Sequence, residues 1–198
     1  MLLKFFIKSA TVNVKNYSIK DIPGSSGRLD VIIRCILAAI LSNNKFEKKV
    51  EIWVFLDNYH TFIINPELLD YANFPKNELL LTDYFVDFLQ KHNSKEKLIN
   101  NTLSSIKISK LSIIDAIKEF QKLNYFIASL KEDGKDFIKS KNNIKAKNNI
   151  IFIIGSQEDE FLHSKELRGL NLPSFSLGTQ SYLASSVIRL IKLHLKPL

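Results

Sequence analysis

The residues with the clearest chemical potential lie where apolar runs in the last third of the chain stop. Leu130 leads into LKEDG, Gly155 into GSQED, and Leu177-Gly178 into LGTQSY. Ligands of open parallel sheets bind beyond the carboxyl ends of the strands. Glycines at 155 and 178 would let a ligand approach backbone amides and carbonyls closely. Loops of this kind can read an adenine edge through main-chain hydrogen bonds alone. A single such turn is commonplace, whereas three in order, each closing a β-type run, mark a candidate small-molecule site.

Other chemistries find little support. The segment PGSSGR (23–28) lacks the G-x-x-x-x-G-K-[ST] spacing of a phosphate-binding loop, and no G-x-G-x-x-G dinucleotide fingerprint occurs. His60, His92, His163 and His194 are scattered without metal-ligand spacing, so no metal is expected. Ser185 and Ser186 fall within a helical pattern, with nothing nearby to form a triad. Cys35 is the only cysteine, which excludes an intrachain disulfide and a cysteine zinc cluster. Its place inside VIIRCILAAI makes it a small core hydrophobe rather than a nucleophile.

These loops need elements to hold them. LLKFFIKSA reads as a first strand, and SIKDIPGSSGRLD as a turn-rich loop punctuated by Pro23, Gly24 and Gly27. Apolar residues at 29, 32, 33, 36, 37 and 40 predict a helix from Leu29 to about Ser42. VEIWVFLD (50–57) reads as a strand buried on both faces, with a short partner at 61–64. Helical segments follow near 78–91 and 94–103, then a short strand at 106–110. A helix over 112–123 comes next, with Ser112 as N-cap and Asp115 three residues on. NYFIASL (124–130) predicts a strand, KEDGKD a tight turn, and 138–149 a polar, mobile surface loop. NIIFIIG (149–155) is a second buried strand, PSFSLG (173–178) a short one, and 181–195 a closing helix. Strands alternating with helices imply an α/β fold with a mostly parallel sheet flanked by helices.

Composition bounds the partners. The formal net charge of +8 draws polyanions, either RNA or an anionic membrane surface. The chain is rich in Lys, Asn and Ile throughout, a bias that raises the lysine count without any binding role. Arginine, the better bidentate phosphate ligand, occurs only at 28, 34, 168 and 189. No apolar stretch approaches the roughly 20 residues of a membrane span, and no basic amphipathic helix suggests a membrane surface. Lys4 and Lys8 interrupt the apolar amino terminus, which therefore reads as a first strand and not a signal peptide; the expected location is cytoplasmic.

In order along the chain, IPGSSGRLDVIIRCILAAI, KVEIWVFLDN, YFIASLKEDG, NIIFIIG and FSLGTQSYLASS resemble the archaeal tRNA pseudouridine-54 N1-methyltransferase family of the SPOUT class. The similarity runs from about residue 1 to the carboxyl end and is weakest between 60 and 105. PGSSGRLDVIIRC is its most specific block, followed by the SLG turn before Leu-Ala-Ser-Ser.

The resemblance implies one domain over residues 1–198, with a trefoil knot formed by about 124–198. It implies a homodimer acting on tRNA and using S-adenosyl-L-methionine. Leu130, Gly155, Leu177, Gly178, Thr179, Gln180, Ser181 and Tyr182 would contact that cofactor, largely through backbone groups. Arg28 and Asp30 would stand on the substrate side, across the dimer interface. Asp30 would accept or orient the proton leaving N1 of the base, and Arg28 would position the nucleotide or its phosphate. The chain departs from the family pattern in three places. Ser156-Gln157 follows Gly155 where the family has Asp after the glycine, Val187 stands where a cysteine is expected, and PELLD and NFPKNELL replace two motifs of the middle. Two further readings stay open: a related enzyme acting on a ribosomal RNA pseudouridine, and a knotted RNA-binding scaffold without catalysis.

Overall fold

The first strand of the chain becomes the middle of the sheet. In the computed structural model, which describes residues 1–198 except 95, 97, 99–100, 156–159, 179 and 196–198, β1 (Leu2–Ser9) pairs in parallel with both β4 (Val50–Leu56) and β8 (Asn149–Ile154). It is apolar on both faces because both are covered. Leu3, Phe5 and Ile7 enter one core layer, while Phe6 enters the other with Trp53, Phe55, Ile151 and Ile153. Fully burying each such side chain is worth roughly 1.5–3 kcal/mol. The exception is Lys4, which is buried against Glu51 and lies 5.9 Å from the Trp53 ring centre and 5.4 Å from that of Phe120.

A short helix α1 (Ile22–Ser26) and helix α2 (Leu29–Ile40) follow β1, and a small hairpin of β2 (Leu41–Ser42) and β3 (Lys45–Phe46) leads to β4. The hairpin turns at Asn43 and Asn44, both with positive φ. Beyond β4 the sheet runs antiparallel through β5 (Thr61–Ile64) to β6 (Lys107–Ser109), with helix α3 (Glu78–Ser94) between them in sequence. Helix α4 (Ile113–Lys122) leads into β7 (Phe126–Asp136), and helix α5 (Phe137–Lys145) into β8. Helix α6 (Lys165–Arg168), strand β9 (Ser174–Ser176) and helix α7 (Ala184–Leu195) complete the chain. The strand order is β6-β5-β4-β1-β8-β7-β9, parallel from β4 to β9. The expected α/β class, a mostly parallel sheet flanked by helices, is therefore present. Helices α2, α3, α5 and α7 cover one face, and α4 and α6 the other.

Four local expectations need correction. PGSSGR is not simply a loop: Asp21 accepts a hydrogen bond from Gly24 N and Pro23 occupies the first turn, which starts α1. KEDGKD is not a tight turn, because β7 continues through it. Leu130 and Lys135 both pair with Phe175, and residues 131–134 bow out between them. The polar segment 138–149 is largely helix α5, capped by Asp136, which accepts from Lys139 N. Past Ser94, the described residues of 94–103 are turn or irregular rather than helical. Helix α2 also stops two residues early. Buried Lys192 of α7 donates to the carbonyls of Ala38, Ala39 and Leu41 at 2.7–3.0 Å, closing the C-terminus of α2 as a cation should.

Candidate functional site

The parallel strands β8, β7 and β9 all end on one side of the sheet, and a cavity of about 660 Å³ opens there. Its size falls within the roughly 300–1,000 Å³ usual for small-molecule sites. Leu130, Gly155, Leu177, Gly178, Gln180, Ser181 and Tyr182 all line it. The three strand-end loops singled out in the sequence thus converge on one space. Thr179, the remaining residue of that set, lies outside the described residues, as does Ser156.

Backbone irregularity builds this cavity. Gly134, at the base of the bow in β7, passes so close to β9 that a Cβ would stand 2.5 Å from the Phe175 carbonyl carbon. A side chain there would force the two strands apart. Gly178 has φ +139°, a conformation side chains rarely adopt, and its amide and carbonyl are both bonded to Ser176 Oγ. Leu162, Phe175 and Val187 contribute apolar wall, and Lys131, Glu132 and Asp133 a charged rim. An apolar slot edged by main-chain groups and a few charges suits a ligand with a flat heterocycle and a zwitterionic tail.

Helix α2 closes the remaining side with Val31 and Arg34. Arg28 and Asp30 do not line the cavity; they stand behind it. Asp30 is only 4% exposed, and its carboxylate accepts from Arg28 Nε at 3.0 Å, from Arg28 Nη2 at 3.3 Å and from Arg34 Nη2. Arg34 Nε also reaches the Asp30 carbonyl at 3.3 Å and lies 3.9 Å from Glu78 Oε1. A buried carboxylate clamped by two guanidiniums is a strong charge-assisted arrangement that fixes both arginines. Arg34 is the member that reaches the cavity, and sequence reasoning passed over it. Its signal was present in the Asp30–Arg34 spacing of four, which stacks the two on one helix face.

The PGSSGRLD block explains itself locally. Buried Ser26 donates to Ile22 O and accepts from Leu29 N, which joins α1 to α2. Thr11 Oγ1 donates to Gly27 O at 2.9 Å and Asn13 N to Ser26 O at 3.0 Å, which pins the turn to the segment after β1. Arg28 is held left-handed, with φ 66° and ψ 34°, at the start of α2. That conformation costs a non-glycine residue on the order of 1 kcal/mol. Much of this distinctive string is therefore scaffolding for Arg28, Asp30 and Arg34.

A second cavity of about 740 Å³ lies beyond the ends of β1 and β4, lined by Lys8, Asp57, His60, Lys110, Phe161 and His163 among others. His163 borders both spaces. Cys35 is fully buried, and burial pushes its thiol up to about 12, in keeping with a core role. Among the described residues no group of three or more His, Cys, Asp or Glu could hold a metal, and no helix is long and apolar enough to cross a membrane.

Comparison with known proteins converges on one family. A family model described as "Putative SAM-dependent RNA methyltransferase" matches residues 2–198. The tRNA (pseudouridine(54)-N(1))-methyltransferase of Pyrococcus abyssi is 29% identical over 96% of both chains. That of Thermococcus onnurineus is 25% identical over 96% of this chain and 95% of its own. The crystal structure of Archaeoglobus fulgidus Nep1 bound to S-adenosylhomocysteine shares the fold, with a TM-score of 0.67 and 18% identity over 98% of this chain and 97% of that one. The chain belongs to the S-adenosylmethionine-dependent RNA methyltransferase family that this model defines.

Proposed function

We propose that this protein methylates N1 of a pseudouridine in the T-loop of tRNA, the position for which the Pyrococcus abyssi and Thermococcus onnurineus relatives are named. The observation that carries the reading is the convergence of the three strand-end loops on one cavity faced by an arginine. In this reading Leu130, Gly155, Leu177, Gly178, Gln180, Ser181 and Tyr182 hold S-adenosyl-L-methionine, with Thr179 completing the last loop. Bound there, the cofactor's sulfonium supplies an electrophilic methyl group. The segment from about 124 to 198 forms a trefoil knot around it, and the protein works as a homodimer, with Arg28 and Asp30 serving the substrate side.

The chain's own residues act by positioning and by charge. As N1 bonds to the methyl carbon and the carbon–sulfur bond breaks, the N1 proton passes to solvent water; the negative charge that its departure leaves spreads over the base carbonyls, and a fixed guanidinium beside them stabilises that charge. Arg34 is suited to this because Asp30 and Glu78 hold it and it faces the cavity. Asp30 then serves to orient, since its oxygens are engaged by Arg28 and Arg34. Arg28 takes the nucleotide or its phosphate. Orientation of two reactants can supply several kcal/mol of the barrier, and no covalent enzyme intermediate is required.

The test is calorimetric titration with S-adenosylmethionine and S-adenosylhomocysteine. It is followed by methyl transfer to two tRNA transcripts that differ only in uridine or pseudouridine at position 54. Saturable binding near one site per chain and transfer to the pseudouridine transcript alone are expected. Binding without transfer to either transcript would move the substrate to another RNA. Failure to bind either ligand would remove the cavity assignment and favour a non-catalytic RNA-binding protein.

A further inference from the structure

Helix α5 is the least anchored of the helices on its face. Only Phe137 and Ile144 are buried, and Phe137 packs among Phe152, Phe175 and His194. The rest turns outward, and that outward surface has one sign. Between Asp136 and Glu158 the sequence carries Lys139, Lys141, Lys145 and Lys147 and no acidic residue, which accounts for four of the net eight positive charges. Lys139, Lys145 and Lys147 are exposed and Lys141 is half-buried. The side chain of Lys139 is 85% exposed, with Asp136 Oδ2 3.9 Å away as its ion-pair partner.

A compositional bias toward lysine does not produce this pattern. Such a bias would reach every exposed helix, yet α4 matches Lys118 and Lys122 with Asp115 and Glu119, and α3 carries Glu78, Asp83 and Asp87 against Lys91. The imbalance is confined to α5 and its neighbour α7, which holds exposed Arg189 and no acidic residue. The placement is equally specific. Helix α5 starts directly after Asp136, whose strand partner is Ser176 on the cavity wall. At about 1.5 Å per residue, Lys139, Lys141 and Lys145 stand roughly 4, 7 and 13 Å along α5 from that rim. This span covers about two phosphate spacings of a nucleic-acid strand.

We propose that the outer surface of α5 is the docking track for the tRNA phosphate backbone, and that Lys141 and Lys145, one turn apart on one flank, and Lys139 on the other lead the RNA to the cavity without reading its sequence. This inference rests on the tRNA reading given above. Lysines act on phosphates as point charges, so the track supplies affinity and association rate, while discrimination stays with the cavity.

The test compares wild type with the triple variant Lys139→Gln/Lys141→Gln/Lys145→Gln. A control with the same charge loss on the opposite side of the molecule is Lys107→Gln/Lys118→Gln/Lys122→Gln. Binding of a pseudouridylated tRNA transcript is measured from 50 to 300 mM KCl, alongside methyl transfer and S-adenosylhomocysteine titration. Each neutralised phosphate contributes roughly 0.7–0.9 to the slope of log affinity against log salt, so the α5 variant should flatten that slope by about two. It should raise KM for tRNA at least tenfold at 150 mM KCl, leaving kcat and cofactor affinity within twofold. The control should change the slope by less than half a unit. Equal effects in both variants, or no change in the α5 variant, overturn the track while wild-type methyl transfer still supports the function. A wild type that binds cofactor but neither binds nor methylates tRNA overturns the function itself, and the track with it.

Discussion

Two cavities share the carboxyl side of one sheet and a bordering histidine, yet they are built on different principles. The space at the ends of β1 and β4 is the larger, about 740 Å³ against 660 Å³. Within it Lys8 pairs with Asp57 and Thr61 Oγ1 donates to Leu111 O at 2.7 Å, while His60 Nδ1 is buried without a hydrogen-bond partner among the described residues. The space at β7, β8 and β9 is shaped by main chain that leaves regular pairing, at the bow of 131–134 and at Gly178. The two spaces are thus of similar size, and volume does not distinguish them. What sets the space at β7, β8 and β9 apart is its irregular backbone, and such irregularity persists only where neighbouring structure enforces it.

That contrast can be broken by mutation. The largest effect is expected from Gly134→Ala, because its Cβ meets Phe175 backbone at 2.5 Å and no flexible atom can yield. A loss of about 3 kcal/mol in urea unfolding and abolition of cofactor binding by calorimetry are expected. Gly178→Ala would meet only Tyr182, at an ordinary contact of 3.8 Å, but takes a φ that side chains rarely adopt, for roughly 1–3 kcal/mol of local strain; cofactor affinity should fall by about tenfold or more, with stability lowered by no more than that strain. Arg34→Lys keeps the charge but loses the planar fork that Asp30 holds. The methyl-transfer kcat should drop on the order of 100-fold, about 2.7 kcal/mol, while the Kd for S-adenosylhomocysteine stays within twofold. In the other cavity, Lys8→Met/Asp57→Asn removes a pair whose carboxylate is half exposed. Cofactor affinity should be unchanged and stability altered by no more than about 1 kcal/mol. A cofactor loss there equal to that of Gly178→Ala would erase the distinction.

The smallest effect concerns pH. Burial, reinforced by the nearby charge of His60, holds His92 below the ordinary imidazole value, and the two rings lie 5.1 Å apart. The unfolded chain takes up this proton first as pH falls, so the stability contributed is complete above about pH 6.5 and declines below it. His92→Phe should reduce the difference in urea midpoint between pH 7.5 and 5.5, measured by circular dichroism.

The sheet was legible because its central strands declare themselves. β8 is an unbroken apolar run from Ile150 to Ile154, and β1 and β4 are interrupted only by Lys4, Lys8 and Glu51, patterns that a strand covered on both faces explains. The α4 cap was equally plain, with Ser112 Oγ accepting from Asp115 N at 3.1 Å. Helix α5 was hidden because just two of its residues bury, seven apart, and its lysines and asparagines look like loop. The bow in β7 was hidden for a tertiary reason: KEDG has turn composition, and only pairing with Phe175 returns the chain to the same strand. The three cavity loops could be found from strand ends, but Arg34 could not be weighed without seeing what Asp30 holds. Lys192 gave no local sign at all, since its three carbonyl partners belong to a helix at the other end of the sequence.

Lys192 also bears on how the chain is made. It closes α2 from 154 residues beyond Ala38, and β1 needs β8, itself near the end of the chain, to cover its second edge. Pairings so distant in sequence carry a large loop-closure cost and slow the search for the native state. During synthesis, at about 5–20 residues per second, the first half leaves the ribosome with an open strand edge and an unfinished helix end. Residues 149–195 complete both, and they also carry the final loop of the cavity. The second edge of β1, the closed end of α2 and the wall of the cavity are thus completed together, once residues 149–195 have emerged.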